Sequence, residues 1–347
     1  MPGQPRTVTA AYVQAPFQVS FRQVEVPPPG PGQILLEVTA CGICGHDIEI
    51  ARELATEPRA FGHEIAGIVA EVGEGVTNVA VGDPVALESS SFCGVCDRCR
   101  NGRVDLCTHT VGFWGGVSQG FSEAMLSPAQ SAVPAHGLDP TAAMMGEPGG
   151  VALDMIKLAE IGLTDRVLLV GAGAIGLMAL PVVRRLTGGP VVAAGRARGK
   201  LEVALRLGAD AVVNTSETPL AECGKPYGGF DKVLVTAPPQ TLPDCLEAAA
   251  YGGYVVFIGF DWGPGGVIPL DTTKLHAGKK QLRSSMDSPA LYVDEALELM
   301  RRGVIPAEEI VSHRYPLSRL EEAIRTMRDD RENARKVAVI PDGRFGG

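Results

Sequence analysis

The sequence predicts an α/β protein that pairs an irregular β-rich domain with a doubly wound parallel sheet. Three observations carry this. A strand, a glycine turn and an apolar helix follow one another over residues 167–186, which is how a βαβ sheet opens. Residues 7–90 are instead rich in short β-branched runs broken by Gly and Pro. The chain has 347 residues, more than one core usually holds, so two domains are expected.

Taken in order, the runs 34–38, 65–72 and 84–87 are apolar and rich in Val, Ile and Leu, and read as strands. The block Pro-Pro-Pro-Gly-Pro-Gly at 27–32 is a turn or linker, because proline supplies no ladder donor. Near residue 147 the texture changes. Val167–Val170 is a buried parallel strand followed by a glycine turn and the helix Ile175–Leu186. Further strands at 190–194, 211–214, 232–235 and 254–258 keep βαβ spacing. From about residue 289 come helices Tyr292–Arg302 and Ser318–Asp329 and a last strand, Lys336–Ile340. That segment is expected to return to the first domain. The expected division is 1–146 with 289–347 for the β-rich domain and 147–288 for the sheet domain. The tail Gly343–Gly347 is expected to be disordered.

Composition narrows the function. A net charge of −9 argues against a general nucleic-acid or anionic-membrane binder. No apolar run reaches the roughly 18 residues that span a bilayer, and the first six residues lack the apolar core of a signal peptide. A cytoplasmic location is the expectation. Eight cysteines then suit metal ligation and buried thiols better than disulfides, with Cys223 and Cys245 read as packing residues.

Four of those cysteines, Cys93, Cys96, Cys99 and Cys107, follow the spacing C-x2-C-x2-C-x7-C in a lobe at about 88–110. Four thiolates from one short loop can close a tetrahedral zinc shell with no place for substrate, so this zinc would be structural. A disulfide pair and an iron–sulfur cluster are the rivals; the first is disfavoured by the missing signal segment.

Gly171-Ala-Gly173-Ala174-Ile175-Gly176 follows a strand and opens a helix, the setting in which G-x-G-x-x-G marks a dinucleotide site. The first glycine makes the turn, the second admits the pyrophosphate, and the third lets helix meet strand. An NAD site wants Asp or Glu at the end of the next strand. Here Gly195 stands there, followed by Arg196, Arg198 and Lys200. Glycine leaves room for a 2′-phosphate and Arg196 can grip it bidentately, which favours NADP(H) over NAD(H). The competing reading is a solvated basic loop.

Cys44 and His46-Asp47, His63-Glu64, and Glu147 ahead of Pro148 form a second constellation, the ligand types of an open catalytic zinc. With these motifs in hand, the whole chain resembles the zinc-dependent medium-chain dehydrogenase/reductases, in the polyol, threonine and glucose dehydrogenase branch. The resemblance implies a GroES-like β-rich catalytic domain and a Rossmann cofactor domain. It implies Cys44, His63 and Glu64 as ligands of a catalytic zinc, with Glu147 a fourth that exchanges with water. Cys41 corresponds to a second cysteine that binds no metal, and Arg335 to a position that contacts the pyrophosphate. The family usually has Ser or Thr where this chain has His46, and a relay histidine where it has Glu49. Two readings of His46 follow: the base that takes the alcohol proton, or only a space-filling or substrate-binding side chain. Asp47 would orient His63 or a turn. Phe113 and Trp114 are read either as substrate-pocket wall or as core aromatics, and Glu49 with Arg52 as sources of pocket polarity.

The expected activity is hydride transfer between NADP(H) and a secondary alcohol or polyol, or its ketone. The zinc acts as Lewis acid, and the protein is a homodimer or homotetramer without nucleic-acid or membrane partners. Rivals are an NAD-dependent polyol or amino-alcohol dehydrogenase of the same fold, a metal-free quinone or enone reductase, and a catalytically idle NADPH-binding regulatory protein.

Overall fold

A computed structural model describes residues 3–261 and 263–345. The chain divides into two compact units, Met1–Gly150 with Ser288–Gly347, and Val151–Asp287. The first break falls inside the helix Gly146–Ala159 rather than ahead of Glu147. That helix runs across the expected boundary without interruption, so Glu147 belongs to the first unit.

The first unit is built on a seven-stranded sheet. Its order is Val311–Pro316, Lys336–Ile340, Gln33–Gly42, Glu64–Val72, Pro84–Leu87, Ala132–Pro134, with Ala124–Pro128 also paired to Gln33–Gly42. A smaller sheet joins Gln18–Val26, Arg6–Gln14 and Arg59–Ala60. The last strand enters the large sheet through Ala338 opposite Gly42 and Val339 opposite Cys41. The helix Leu320–Asp329 lays Leu320, Ala323 and Ile324 on the same core as Ile34, Leu36, Ile65 and Phe121. The C-terminal segment is thus part of this unit's interior. Gly343 to Phe345 differ from the expected disordered tail: Asp342–Arg344 forms a 3-10 turn, and Arg344 pairs with Glu37 at 2.5 Å. The last two residues of that tail lie outside the described residues.

The second unit is a six-stranded sheet, parallel throughout. Its order is Ala211–Asn214, Val191–Gly195, Val167–Val170, Phe230–Val235, Ala249–Phe257, Gln281–Ser284. Numbered within the unit this is 3-2-1-4-5-6, the doubly wound order of dinucleotide-binding sheets. Its interior is aliphatic, with Leu168, Val170, Val192, Val233 and Val255 all buried. Cys223 and Cys245 sit in the same core, as packing residues should.

Among the described residues, no helix is long and apolar enough to cross a membrane.

Candidate functional site

Cys44 is the N-cap of the short helix Gly45–Glu49. Asp47, three residues on, reaches back so that its Oδ2 accepts the Cys44 backbone N–H at 2.9 Å. Its other oxygen, Oδ1, lies 3.5 Å from His63 Nδ1. One buried carboxylate therefore fixes both the turn that presents Cys44 and the ring of His63. His63 is delivered by Gly62, whose φ of 92° lies in the left-handed region that glycine adopts without strain. With Nδ1 turned to Asp47, the His63 ring keeps Nε2 for another partner, as metal-bound histidines do. Cys44 and His63 are within hydrogen-bonding reach of each other. Glu147 opens the helix Gly146–Ala159 and is buried; Ser89 donates its hydroxyl to Oε1 at 2.9 Å.

The charges of this cluster pull against burial. Burial pushes the Cys44 thiol and the Glu147 carboxyl up from their usual ranges. Burial presses His63 down, but Asp47 and Cys44 outweigh it and hold its pKa well above the ordinary value. A raised histidine among buried thiol and carboxyl groups means a negative field, one that favours a cation. At 3.5 Å, His63 Nδ1 and Asp47 Oδ1 are held by charge rather than by a short hydrogen bond. A thiol, an imidazole and carboxylates in such a field are a donor set suited to zinc.

Glu64 stands differently from the other expected ligands. Both of its oxygens meet Lys336 Nζ, at 2.5 and 2.6 Å, and the same ammonium bonds the Ile43 carbonyl at 3.2 Å. Sequence reasoning missed Lys336 and placed weight on its neighbour. Arg335 directs its guanidinium to the carbonyls of Glu309 and Asn333 in the first unit. The available signal was a lysine heading an otherwise apolar strand, Lys336–Ile340, which implies a buried partner. Ser89 was missed too.

Around this cluster, His46 is half-buried with its ring 6.1 Å from that of His63. Its Nδ1 lies 4.0 Å from Glu49 Oε2, an ion-pair separation longer than a hydrogen bond. Burial, with the positive charges of His63 and Arg59, lowers its pKa against the opposing pull of Asp47. Arg52 pairs with Glu53 on the surface. The two aromatics after the cysteine lobe separate cleanly. Phe113 is 5% exposed and belongs to the core, whereas Trp114 is 45% exposed. The Trp114 indole N–H donates to Ser89 O at 2.7 Å, and its ring lies 5.6 Å from His63. Cys41 is fully buried and its thiol is pushed far up by burial, consistent with packing.

Cys93, Cys96, Cys99 and Cys107 bring their sulfurs within 4.8 Å of one another. Among the described residues this is the one group in which three or more candidate ligand atoms gather so closely. Four of the sulfur–sulfur distances are 4.0, 3.5, 3.9 and 3.5 Å. A tetrahedron of thiolates at the usual zinc–sulfur length has edges of about 3.8 Å, whereas a disulfide sulfur pair lies near 2.05 Å. Backbone N–H groups hold Cys93 and Cys96 below the usual thiol range, Cys96 at about 5. Burial and the neighbouring Cys96 push Cys99 up to about 12. Four sulfurs this close ionise together only around a cation.

Just past the strand Pro84–Leu87, at the entry to the lobe, lies a separate titrating group. Burial raises Glu88 from its ordinary 4.5 to about 7, against the Ser91 hydroxyl that bonds it at 2.5 Å. A carboxyl raised in the fold leaves stability untouched at low pH. It costs stability as pH climbs from 4.5 through 7, because the folded protein must then hold a buried charge. Glu88→Gln should therefore gain on the native protein by about 2–3 kcal/mol between pH 5 and pH 8. Denaturant melts at both values check this; an unchanged difference would contradict it.

In the second unit, the three glycines of the turn meet three different surroundings. Gly171 has φ of 105°, and a Cβ there would lie 2.5 Å from Thr236 Oγ1. A Cβ on Gly176 would lie 2.1 Å from the Gly171 carbonyl, so helix and turn touch. Gly173 faces open space and caps the helix Ala174–Leu186, leaving its first backbone N–H groups, beginning at Ala174 and Ile175, free for an anion. At the end of the next strand, a Cβ on Gly195 would meet Leu201 at 3.5 Å, an ordinary contact. Arg196 is exposed there, while Arg198 pairs with Glu217 and Lys200 is half-buried.

Known proteins match both units. Residues 30–137 match the family described as alcohol dehydrogenase GroES-like domain, and residues 174–302 that described as zinc-binding dehydrogenase. The L-threonine 3-dehydrogenase of Saccharopolyspora erythraea is 33% identical over 325 residues, covering 88% of this chain and 91% of that protein. A dehydrogenase structure from Sinorhizobium meliloti 1021 bound to NADP superposes with a TM-score of 0.87 at 29% identity, covering 97% of this chain and 100% of the other. The rspB alcohol dehydrogenase of Escherichia coli CFT073 complexed with NADH gives 0.87 at 28% identity, covering 96% and 99%. With a GroES-like unit, a doubly wound sheet and these relatives along nearly its full length, the chain belongs to the zinc-dependent medium-chain dehydrogenases, enzymes of the alcohol dehydrogenase type.

Proposed function

We propose that this enzyme transfers a hydride between NADP(H) and a secondary alcohol or polyol, or the matching ketone, with a zinc held by Cys44, His63 and Glu147. The observation that carries the reading is the buried cluster in which Asp47 fixes both Cys44 and His63 beside the Ser89-bonded Glu147. When bound, zinc supplies a Lewis acid that eases loss of the alcohol proton, and the nicotinamide supplies the hydride acceptor.

The chain's own residues do the rest. Asp47 keeps His63 in one orientation, and the Ser89 hydroxyl holds Glu147 Oε1. Trp114, pinned through its indole N–H, offers an aromatic wall beside His63. His46, kept neutral near pH 7 by its lowered pKa, accepts the alcohol proton, with Glu49 facing its Nδ1. The lobe zinc, bound by Cys93, Cys96, Cys99 and Cys107, is structural.

The cofactor's phosphates rest on the helix that Gly173 opens. Solved relatives carry NADP in one case and NADH in another, so the choice rests on the end of the second strand. Gly195 gives no carboxylate to the ribose, and Arg198 is engaged by Glu217, which leaves Arg196 as the cation to grip a 2′-phosphate. Arg196→Ala should weaken NADP+ by about 10–100-fold and leave NAD+ nearly unchanged. Gly195→Asp, whose Cβ fits without displacement, should move preference toward NAD+. Binding titrations with both cofactors test this; tighter NAD+ binding by the native protein would overturn the NADP assignment.

A further inference from the structure

We propose that a cleft at Thr39 in the first unit is a second small-molecule site, built for the zwitterion of an α-amino acid with an apolar side chain. The cleft holds about 650 Å³, and none of Cys44, His46, His63 and Glu147 lines it.

It forms where the large sheet parts. Thr39 is an extra residue between Val38, opposite Gly67, and Ala40, opposite Ala66. Such a bulge re-aims a side chain. On the other edge of Gln33–Gly42, pairing with Ala124–Pro128 stops at Glu37 and pairing with Lys336–Ile340 starts at Cys41, which leaves Thr39 in the gap. Thr39 lines the cleft and is 7% exposed, yet its hydroxyl has no hydrogen-bond partner among the described residues. A buried hydroxyl without a partner costs free energy that a bound polar group recovers.

The charges of the cleft are of both signs. Arg314 is exposed and has no carboxylate partner among the described residues. Its one bond runs from Nη2 to the Thr141 hydroxyl at 3.2 Å. That hydroxyl donates to Asp139 Oδ1 at 2.6 Å, so it is fixed in place to receive the guanidinium. Most of the five guanidinium N–H donors are left for a carboxylate. Glu308, exposed and without an ion pair among the described residues, brings the opposite charge to the same cleft. Arg344 lines it too but is taken by Glu37 at 2.5 Å. A simple anion would meet Glu308 beside Arg314, and a simple cation the reverse; a zwitterion suits both. Ile340 and Phe345 give the apolar wall for its side chain.

Isothermal titration of the whole chain with L-valine, L-leucine, L-methionine and L-phenylalanine tests the site. At least one should bind with Kd at or below about 1 mM. Arg314→Ala and Glu308→Gln should each weaken that binding by about tenfold or more, and Thr39→Val, which removes only the hydroxyl, by about threefold or more. The two charged positions are at the surface, so their variants should fold and keep kcat/KM for alcohol within about twofold of native. For the amino acid that binds best, the matching amine and the matching carboxylic acid each lack one charge and should bind about tenfold more weakly. Three results would overturn the inference: no binding at about 1 mM by any of the four, binding unchanged in Arg314→Ala, or equal binding of the carboxylic acid without its amino group.

Discussion

Cys44→Ser should remove one zinc per chain and lower kcat/KM for alcohol oxidation by at least about 10³-fold, the equivalent of roughly 4 kcal/mol of transition-state stabilisation. The fold should survive. Cys44 is the N-cap of the helix Gly45–Glu49, a position at which serine is among the best residues. The Asp47 bond to the backbone N–H of residue 44 does not depend on the side chain there. Metal analysis, circular dichroism and steady-state rates on the same preparation check the three parts together. A variant that kept its metal and its rate would remove Cys44 from the site.

Cys96→Ser should have the largest effect on stability. Across residues 93–107 the one buried side chain is Cys107, and Val95 and Leu106 point to solvent. The lobe has no apolar core of its own, so on the zinc reading proposed above the four gathered sulfurs and their metal hold it. Losing one thiolate should cost several kcal/mol locally and raise proteolytic cleavage within 93–107 by more than about tenfold. The core around Ile34, Leu36, Ile65 and Phe121 is separate from this loop and should remain folded. Activity should fall less than in Cys44→Ser, because it is Ser89 and Trp114, flanking the four cysteines, that reach the site. Limited proteolysis with mass mapping reads the outcome; an unchanged cleavage pattern would contradict a stapling role.

How far the sequence carried depends on the kind of signal. The G-x-G-x-x-G turn was legible because each glycine answers a local demand, a positive φ, an open face or a helix contact. The cysteine lobe was legible because its four sulfurs gather from within one loop. The strand Gln281–Ser284 was not found, since four residues with one apolar side chain carry no periodicity of their own. Lys336 was missed for a different reason. Its partner Glu64 lies 272 residues away and is met only through pairing of the last strand against Gln33–Gly42. Phe113 and Trp114 could not be told apart from sequence, because neighbouring aromatics differ only in which one the loop turns inward. The carboxylates near the site were visible as candidates, but the division by which Glu64 meets Lys336 and Glu147 meets Ser89 is a tertiary fact.

The most direct measurement is zinc add-back to chelated enzyme, with NADP-linked alcohol turnover followed against bound metal in native protein and in Cys44→Ser. Turnover should appear only as the second of about two zinc ions per chain binds, and should stay absent from the variant. Full turnover with the lobe zinc alone, or the same titration profile in Cys44→Ser, would contradict a catalytic zinc at Cys44, His63 and Glu147.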